Sequence, residues 1–125
     1  MAVNEWSFFC TPYDRKQVER FAPKEPGIYL IWIRNGAGRW ECFYVGKADN
    51  LEARLLDHLA DSEPNACIRE LRKFTCGLYW MEIAAAADRD GAEKYLYDVL
   101  NPACNVRDPG GTALRIPLPP SPADY

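Results

Sequence analysis

GIYLIWIR, Gly27 to Arg34, is an almost unbroken run of β-branched and aromatic side chains. It is too short for a typical helix and apolar on both faces, the pattern of a central strand covered from two sides. Asn35-Gly-Ala-Gly38 follows and supplies the glycines a hairpin turn needs, and WECFYVG, Trp40 to Gly46, then reads as a second strand. With Gly36 and Ala37 as a two-residue loop, strict antiparallel register sets Ile31 opposite Cys42, Leu30 opposite Phe43 and Tyr29 opposite Tyr44. It also sets Arg34 against Arg39, and like charges directly opposite are unfavourable. A longer loop relieves that repulsion and still leaves the two tyrosines near neighbours.

Before the first strand, Pro23 and Pro26 force extended backbone, and Asp14 to Phe21 (DRKQVERF) suits a short helix; residues 1–26 read as an N-terminal brace. After the second strand, Leu51, Leu55 and Leu59 recur on one stripe of a helix from about Leu51 to Ala60, with Asp49 and Glu52 at capping-box spacing. A further helix is expected over Asn65 to Phe74, with Ile68 and Leu71 inward and Arg69, Arg72 and Lys73 outward. CGLYWMEI, Cys76 to Ile83, reads as a third strand. The last helix is expected from about Gly91 to Leu100, with Asp90 as its N-cap and Asn101-Pro102 as its stop. The proline-rich stretch that follows cannot build a ladder or a helix, so residues 106–125 read as an extended or disordered appendage.

A chain of 125 residues, 48% hydrophobic and 13% aromatic, suits one domain that buries a core without disulfide or metal staples. No apolar run approaches the roughly 18 residues that span a bilayer, and no basic region precedes an apolar stretch at the N-terminus. The expectation is a cytoplasmic protein with no membrane partner. Fifteen Lys and Arg against eighteen Asp and Glu give a net charge of −3, which excludes binding nucleic acid by bulk charge but leaves room for a local basic site. Five cysteines, an odd number with no Cys-x-x-Cys pair, argue against a zinc ribbon or dithiol centre and for reduced thiols used as small buried hydrophobes.

Several polar residues have two readings. Arg54 and His58 lie four apart, one turn along one helix face, and His58 is the only histidine. Arg54 is either a phosphate-binding fork or a surface partner of Asp57 or Asp61. Glu93 is either a metal ligand or, with Asp90, half of a capping box. Tyr29 and Tyr44 are either core aromatics with a hydroxyl at the rim or phenols that handle a proton. Gly46 admits a close approach by backbone or ligand.

Gly27-Ile-Tyr29, Tyr44-Val-Gly46, Lys47, Arg54 with His58, Glu93 and Asn105 after Pro102, taken in order, resemble the GIY-YIG nuclease domain family. The match runs from about Gly27 to Asn105, with Val45 in place of the usual isoleucine. The resemblance implies an α/β fold, a small central antiparallel three-stranded sheet flanked by helices, with residues 27–105 as the catalytic domain. It implies a divalent-metal-dependent endonuclease using one Mg²⁺ or Mn²⁺ held by Glu93. Tyr29 and Tyr44 would orient or deprotonate a water, with Lys47 as a nearby cation. Arg54 would clamp the transition state and His58 would serve acid–base chemistry, while Gly27, Gly46 and Asn105 support the site. These residues are expected to form one site on one face of the sheet and its first helix.

The matched segment carries nine basic and twelve acidic side chains, net −3, where a duplex-binding nuclease usually presents a basic face. Arg69, Arg72 and Lys73 are candidates for a nucleic-acid-binding patch. The expected partner is DNA in branched or distorted form, with a protein partner supplying further affinity. The alternative is a catalytically weak or silent adaptor with this fold that binds protein or nucleic acid.

Overall fold

The two-sided apolar run forms the middle strand of a sheet. A computed structural model of the chain describes residues 5–122; residues 1–4 and 123–125, the outer ends of the expected brace and tail, lie outside the described residues. Strand β1 (Gly27–Arg34) lies between β2 (Trp40–Ala48) and β3 (Cys76–Glu82), both antiparallel to it. Among the described residues four helices complete the architecture: α1 (Arg15–Phe21), α2 (Leu51–Asp57), α3 (Ala66–Leu71) and α4 (Ala86–Leu100). One face of the sheet, with Tyr29, Ile31 and Leu78, packs on Leu51 and Leu55 of α2 and Ile68 of α3. The other face, with Ile28, Leu30, Val45 and Met81, packs on Ala92 and Leu96 of α4.

The hairpin register differs from the strict two-residue-loop expectation. Asn35 closes a longer loop by accepting from the backbone N–H of Ala37 (2.9 Å) and Arg39 (3.1 Å) through its side-chain oxygen, with Gly38 at φ +77°. Arg34 therefore faces Trp40 rather than Arg39, which removes the charge clash. A bulge between Ile31 and Trp32 then slips the strands, so that Tyr44 pairs with Ile31 and Tyr29 pairs with Gly46. The tyrosines remain neighbours, stacked with centroids 6.1 Å apart.

Helix starts also moved. Asn50, not Asp49, caps α2 by accepting from Ala53 N–H, and α2 ends at Asp57. Asn65 caps α3 in the same way through Ile68 N–H, and that helix stops at Leu71. Helix α4 begins at Ala86 without any side-chain cap, so Asp90 and Glu93 are interior residues and not a capping box. The alanines before Asp88 are strong helix formers and extend the helix by more than a turn beyond the expected start.

Neither flank stands apart from the core. Residues ahead of α1 run beside β3, with Ser7 N–H to Trp80 C=O (2.8 Å) and reciprocal bonds between Cys10 and Leu78. The Tyr13 hydroxyl donates to the Leu55 carbonyl at 2.5 Å, tying this brace to α2. The proline-rich tail is extended, as its composition requires, but it is docked: Trp6 donates to the Pro117 carbonyl (2.7 Å), Tyr79 to that of Pro120 (2.8 Å), and Leu114 N–H to that of Gly91 (2.9 Å). The carbonyls of a proline segment accept hydrogen bonds even though its nitrogens cannot donate. The expectation that all thiols are reduced is also corrected, because Cys67 and Cys104 are joined by a disulfide while Cys10, Cys42 and Cys76 are free. After α4 the left-handed Asn101 turns the chain back along β2, bringing Cys104 against the start of α3, a juxtaposition no spacing rule detects. No helix among the described residues is long and apolar enough to cross a membrane.

Candidate active site

The site is organised by β2, an edge strand whose side chains alternate between the two faces of the sheet. Tyr44 and Gly46 lie on the α2 side, while Lys47 lies on the α4 side opposite Ile28. An open cleft of about 480 Å³ over this edge is lined by Tyr44, Lys47, Glu93 and Asn105 together with Asn65 and the segment Val106 to Pro109. The expected single-face site is thus corrected: α2 and α4 contribute from opposite faces, and the edge strand joins them.

Tyr29 and His58 are fully buried. The Tyr29 hydroxyl lies 2.6 Å from His58 Nε2, and His58 Nδ1 lies 2.9 Å from a carboxylate oxygen of Glu63. The other Glu63 oxygen accepts from Asn65 N–H (3.1 Å). A carboxylate can only accept, so Nδ1 carries the ring proton and Nε2 accepts from Tyr29. Were the ring protonated, the 2.9 Å contact would be an ion pair. Burial, reinforced by the Arg54 charge, outweighs the opposing pull of Glu63, lowers the ring's pKa below its ordinary value and keeps it neutral. Glu63 is only 3% exposed and completes a buried Tyr–His–Glu chain that sequence reading missed. Its one sequence signal was position, an acid five residues after the lone histidine in the loop leading to Pro64 and Asn65.

Tyr44 sits over the same histidine, with ring centroids 5.2 Å apart, but it is half-buried and reaches the cleft. Arg54, from α2, is the cation beside both phenols. Burial raises the pKa of both, of Tyr29 well above the usual phenol value, and Arg54 opposes the rise. Both phenols therefore rest protonated. Gly46 is required by Tyr29, because a Cβ there would fall on the Tyr29 ring and hydroxyl. Gly27 is a packing position, where a Cβ would meet the Met81 carbonyl and, at 2.9 Å, Leu51.

On the other side of the cleft, the Lys47 ammonium lies 2.5 Å from Asp90 and 3.8 Å from Glu93. The Glu93 side chain is 13% exposed, and desolvation raises its carboxyl pKa against the lowering effect of Lys47. Asn105 clamps the edge of β2 through both ends of its amide, accepting from Val45 N–H (2.9 Å) and donating to Val45 C=O (2.8 Å).

Arg69 and Arg72, candidates for an outward basic patch, instead clamp the loop that carries Glu63. Arg72 Nη1 donates to the His58 and Ala60 carbonyls (2.6 and 2.8 Å), and Arg69 Nη1 to that of Glu63 (2.5 Å). The loop's unpaired carbonyls attract these guanidinium groups inward. Lys73 is exposed beside Glu70. No group of three or more His, Cys, Asp or Glu residues able to hold a metal occurs among the described residues. Among the described residues a closed cage of such side chains is therefore absent, while the desolvated Glu93 carboxylate beside an open cleft suits a hard cation that keeps most of its shell as water or phosphate oxygen.

No protein-family model matches the chain. A stretch of 60 residues, 48% of the chain, is 38% identical to the UvrABC system protein C of Aquifex aeolicus (strain VF5) and spans about 10% of that protein's length. Among solved structures, the fold is similar to the GIY-YIG N-terminal endonuclease domain of UvrC from Thermotoga maritima, seen in point mutants bound to its catalytic divalent cation. One, carrying a Tyr to Phe change, is 28% identical with a TM-score of 0.56, over 74% of this chain and 94% of that one. Two others, a second Tyr to Phe and an Asn to Ala mutant, are 26% identical with the same TM-score and coverage.

Proposed function

We propose that this chain, a GIY-YIG domain by its fold and by the order of its motif residues, is a divalent-metal-dependent endonuclease that hydrolyses DNA phosphodiester bonds. The observation that carries the reading is the convergence over one strand edge of a half-buried phenol (Tyr44), a guanidinium behind two phenols (Arg54), an ammonium (Lys47) and a desolvated carboxylate (Glu93). Phosphodiester hydrolysis needs a held water, positive charge against the crowded phosphorus and help for the departing oxygen.

Glu93 would hold the cation, Mg²⁺ or Mn²⁺, and when bound the metal supplies charge to the scissile phosphate. Tyr44, the phenol that reaches the cleft, accepts a hydrogen bond from the attacking water and fixes its line of approach. The water oxygen bonds to phosphorus, one phosphorus–oxygen ester bond breaks, the water's proton passes to cleft solvent and the departing oxygen regains one there. Arg54 opposes the charge that grows on the phosphate oxygens, and Lys47 stabilises negative charge on the α4 side. Tyr29, His58 and Glu63 are sealed from the cleft, so they position: Glu63 sets the His58 tautomer, His58 holds the Tyr29 proton, and the Tyr29 ring is fixed beside Arg54. His58 thus orients and does not exchange protons with substrate.

The net charge of −3 and the small cleft favour branched or otherwise distorted DNA, whose phosphates stand clear of the duplex, or a partner protein that supplies basic surface. The same charge is what favours the adaptor alternative. Glu93→Gln separates the two readings. Metal-dependent cleavage of a branched DNA should fall at least a hundredfold while the melting temperature stays level or rises, since the lost charge sits in a desolvated place. A wild-type chain that cuts no DNA in either metal would favour the adaptor, and full activity in the variant would remove Glu93 from the site.

A further inference from the structure

We infer that Arg107 binds a DNA backbone phosphate next to the scissile one, an inference that rests on the nuclease reading above. The cations around the cleft are otherwise engaged. Lys47 lies between Asp90 and Glu93, Lys94 between Asp98 (3.0 Å) and Asp108 (2.8 Å), and Arg89 donates to Asp49 and to the carbonyls of Ile83 and Ala84. Arg54 stands behind the two phenols. Arg107 lines the same cleft, is exposed, and makes no ion pair or side-chain hydrogen bond among the described residues.

Its backbone is nevertheless fixed on both sides. Two residues before it, Asn105 is clamped to Val45 of β2. One residue after it, Asp108 is paired with Lys94 of α4 and accepts from Gly110 N–H (2.8 Å). A guanidinium carried between two such anchors is preorganised over the cleft, so ordering it on binding costs less than ordering a cation on a free tail. Its planar fork matches two oxygens of one phosphate.

The test uses the full chain and a branched DNA, with binding followed by fluorescence anisotropy in chelator, where no cleavage proceeds, across a series of salt concentrations. Arg107→Ala should weaken affinity about tenfold and flatten the slope of log affinity against log salt by about 0.9, one released counterion. Arg107→Lys should restore the slope and part of the affinity. In metal, Arg107→Ala should raise KM with little change in kcat, and its melting temperature should match the wild type. Unchanged affinity and slope in a protein that still cuts DNA would overturn this inference and leave the nuclease reading standing, and a lowered melting temperature would assign Arg107 to the fold instead. A wild-type chain that neither binds nor cuts DNA would overturn both.

Discussion

Replacing Glu63 with glutamine keeps the shape of the side chain and removes its ability to accept on both oxygens. The carboxylate receives two donors, His58 Nδ1–H at 2.9 Å and Asn65 N–H at 3.1 Å. A glutamine offers one oxygen and one NH₂. If the oxygen stays on His58, the NH₂ opposes the Asn65 N–H and leaves a half-buried donor unpaired. If the oxygen turns to Asn65, the NH₂ faces Nδ1, which can accept only by passing its proton to Nε2. Nε2–H then confronts Tyr29 as a donor, and the hydroxyl loses its acceptor. One orphaned buried group costs about 1–3 kcal/mol. At ~3–5 °C per kcal/mol for a chain of this size, the melting temperature should fall by about 3–15 °C. Cleavage should fall as well, because Tyr29, the neighbour of Arg54, loses its fixed orientation. His58 is the only histidine, so long-range ¹H–¹⁵N NMR reads its tautomer without ambiguity. The wild-type ring should be neutral with its proton on Nδ1. A wild-type ring carrying its proton on Nε2, or a variant with unchanged melting and an unchanged ring spectrum, would refute the buried chain as drawn.

Two further outcomes follow from the same packing. Gly46→Ala should cost about 1–3 kcal/mol, the usual range for overpacking, because its methyl falls on the Tyr29 ring, and chemical denaturation together with a lost Tyr29–His58 bond would report it. Stability should also fall on the acid side of pH 6.5. The folded pKa of His58 lies below the unfolded value, so the unfolded chain takes up the proton first; this contribution is full above 6.5 and is lost as pH drops from there through the folded pKa, at up to ~1.4 kcal/mol per pH unit. Melting curves measured from neutral to mildly acidic pH in wild type and His58→Gln would show the slope and its loss.

Local patterns determined a good part of this protein. A run apolar on both faces could only be a strand covered from two sides, and GIYLIWIR became the middle strand. Glycine-rich residues after it made a hairpin, and leucines at helical spacing put α2 on the sheet. The ordered set from Gly27 to Asn105 pointed to the fold because it combines residue type with context. Register, caps and partners followed from tertiary structure. A bulge at Ile31 and Trp32 depends on how three strands pack, and it moved Tyr29 opposite Gly46. Helix α4 began early because alanines propagate a helix that packing has already nucleated, which made Asp90 a partner of Lys47 instead of a cap.

Burial was the other quantity a linear reading lacked. Tyr29 and Tyr44 look equivalent in sequence, yet one is sealed and the other reaches the cleft, because β1 is central and β2 is an edge. Glu63 had no motif to announce it, and only the fold of its loop onto His58 gives the carboxylate a partner. Arg69 and Arg72 looked like solvated cations until the loop carbonyls they satisfy came into view. The pairing of Cys67 with Cys104 and the docking of the proline-rich tail have the same origin. Periodicity is a property of neighbouring residues along the chain, whereas a hydrogen-bond partner, a buried charge or a sulfur within reach is a property of neighbours in space, and only the folded chain decides those.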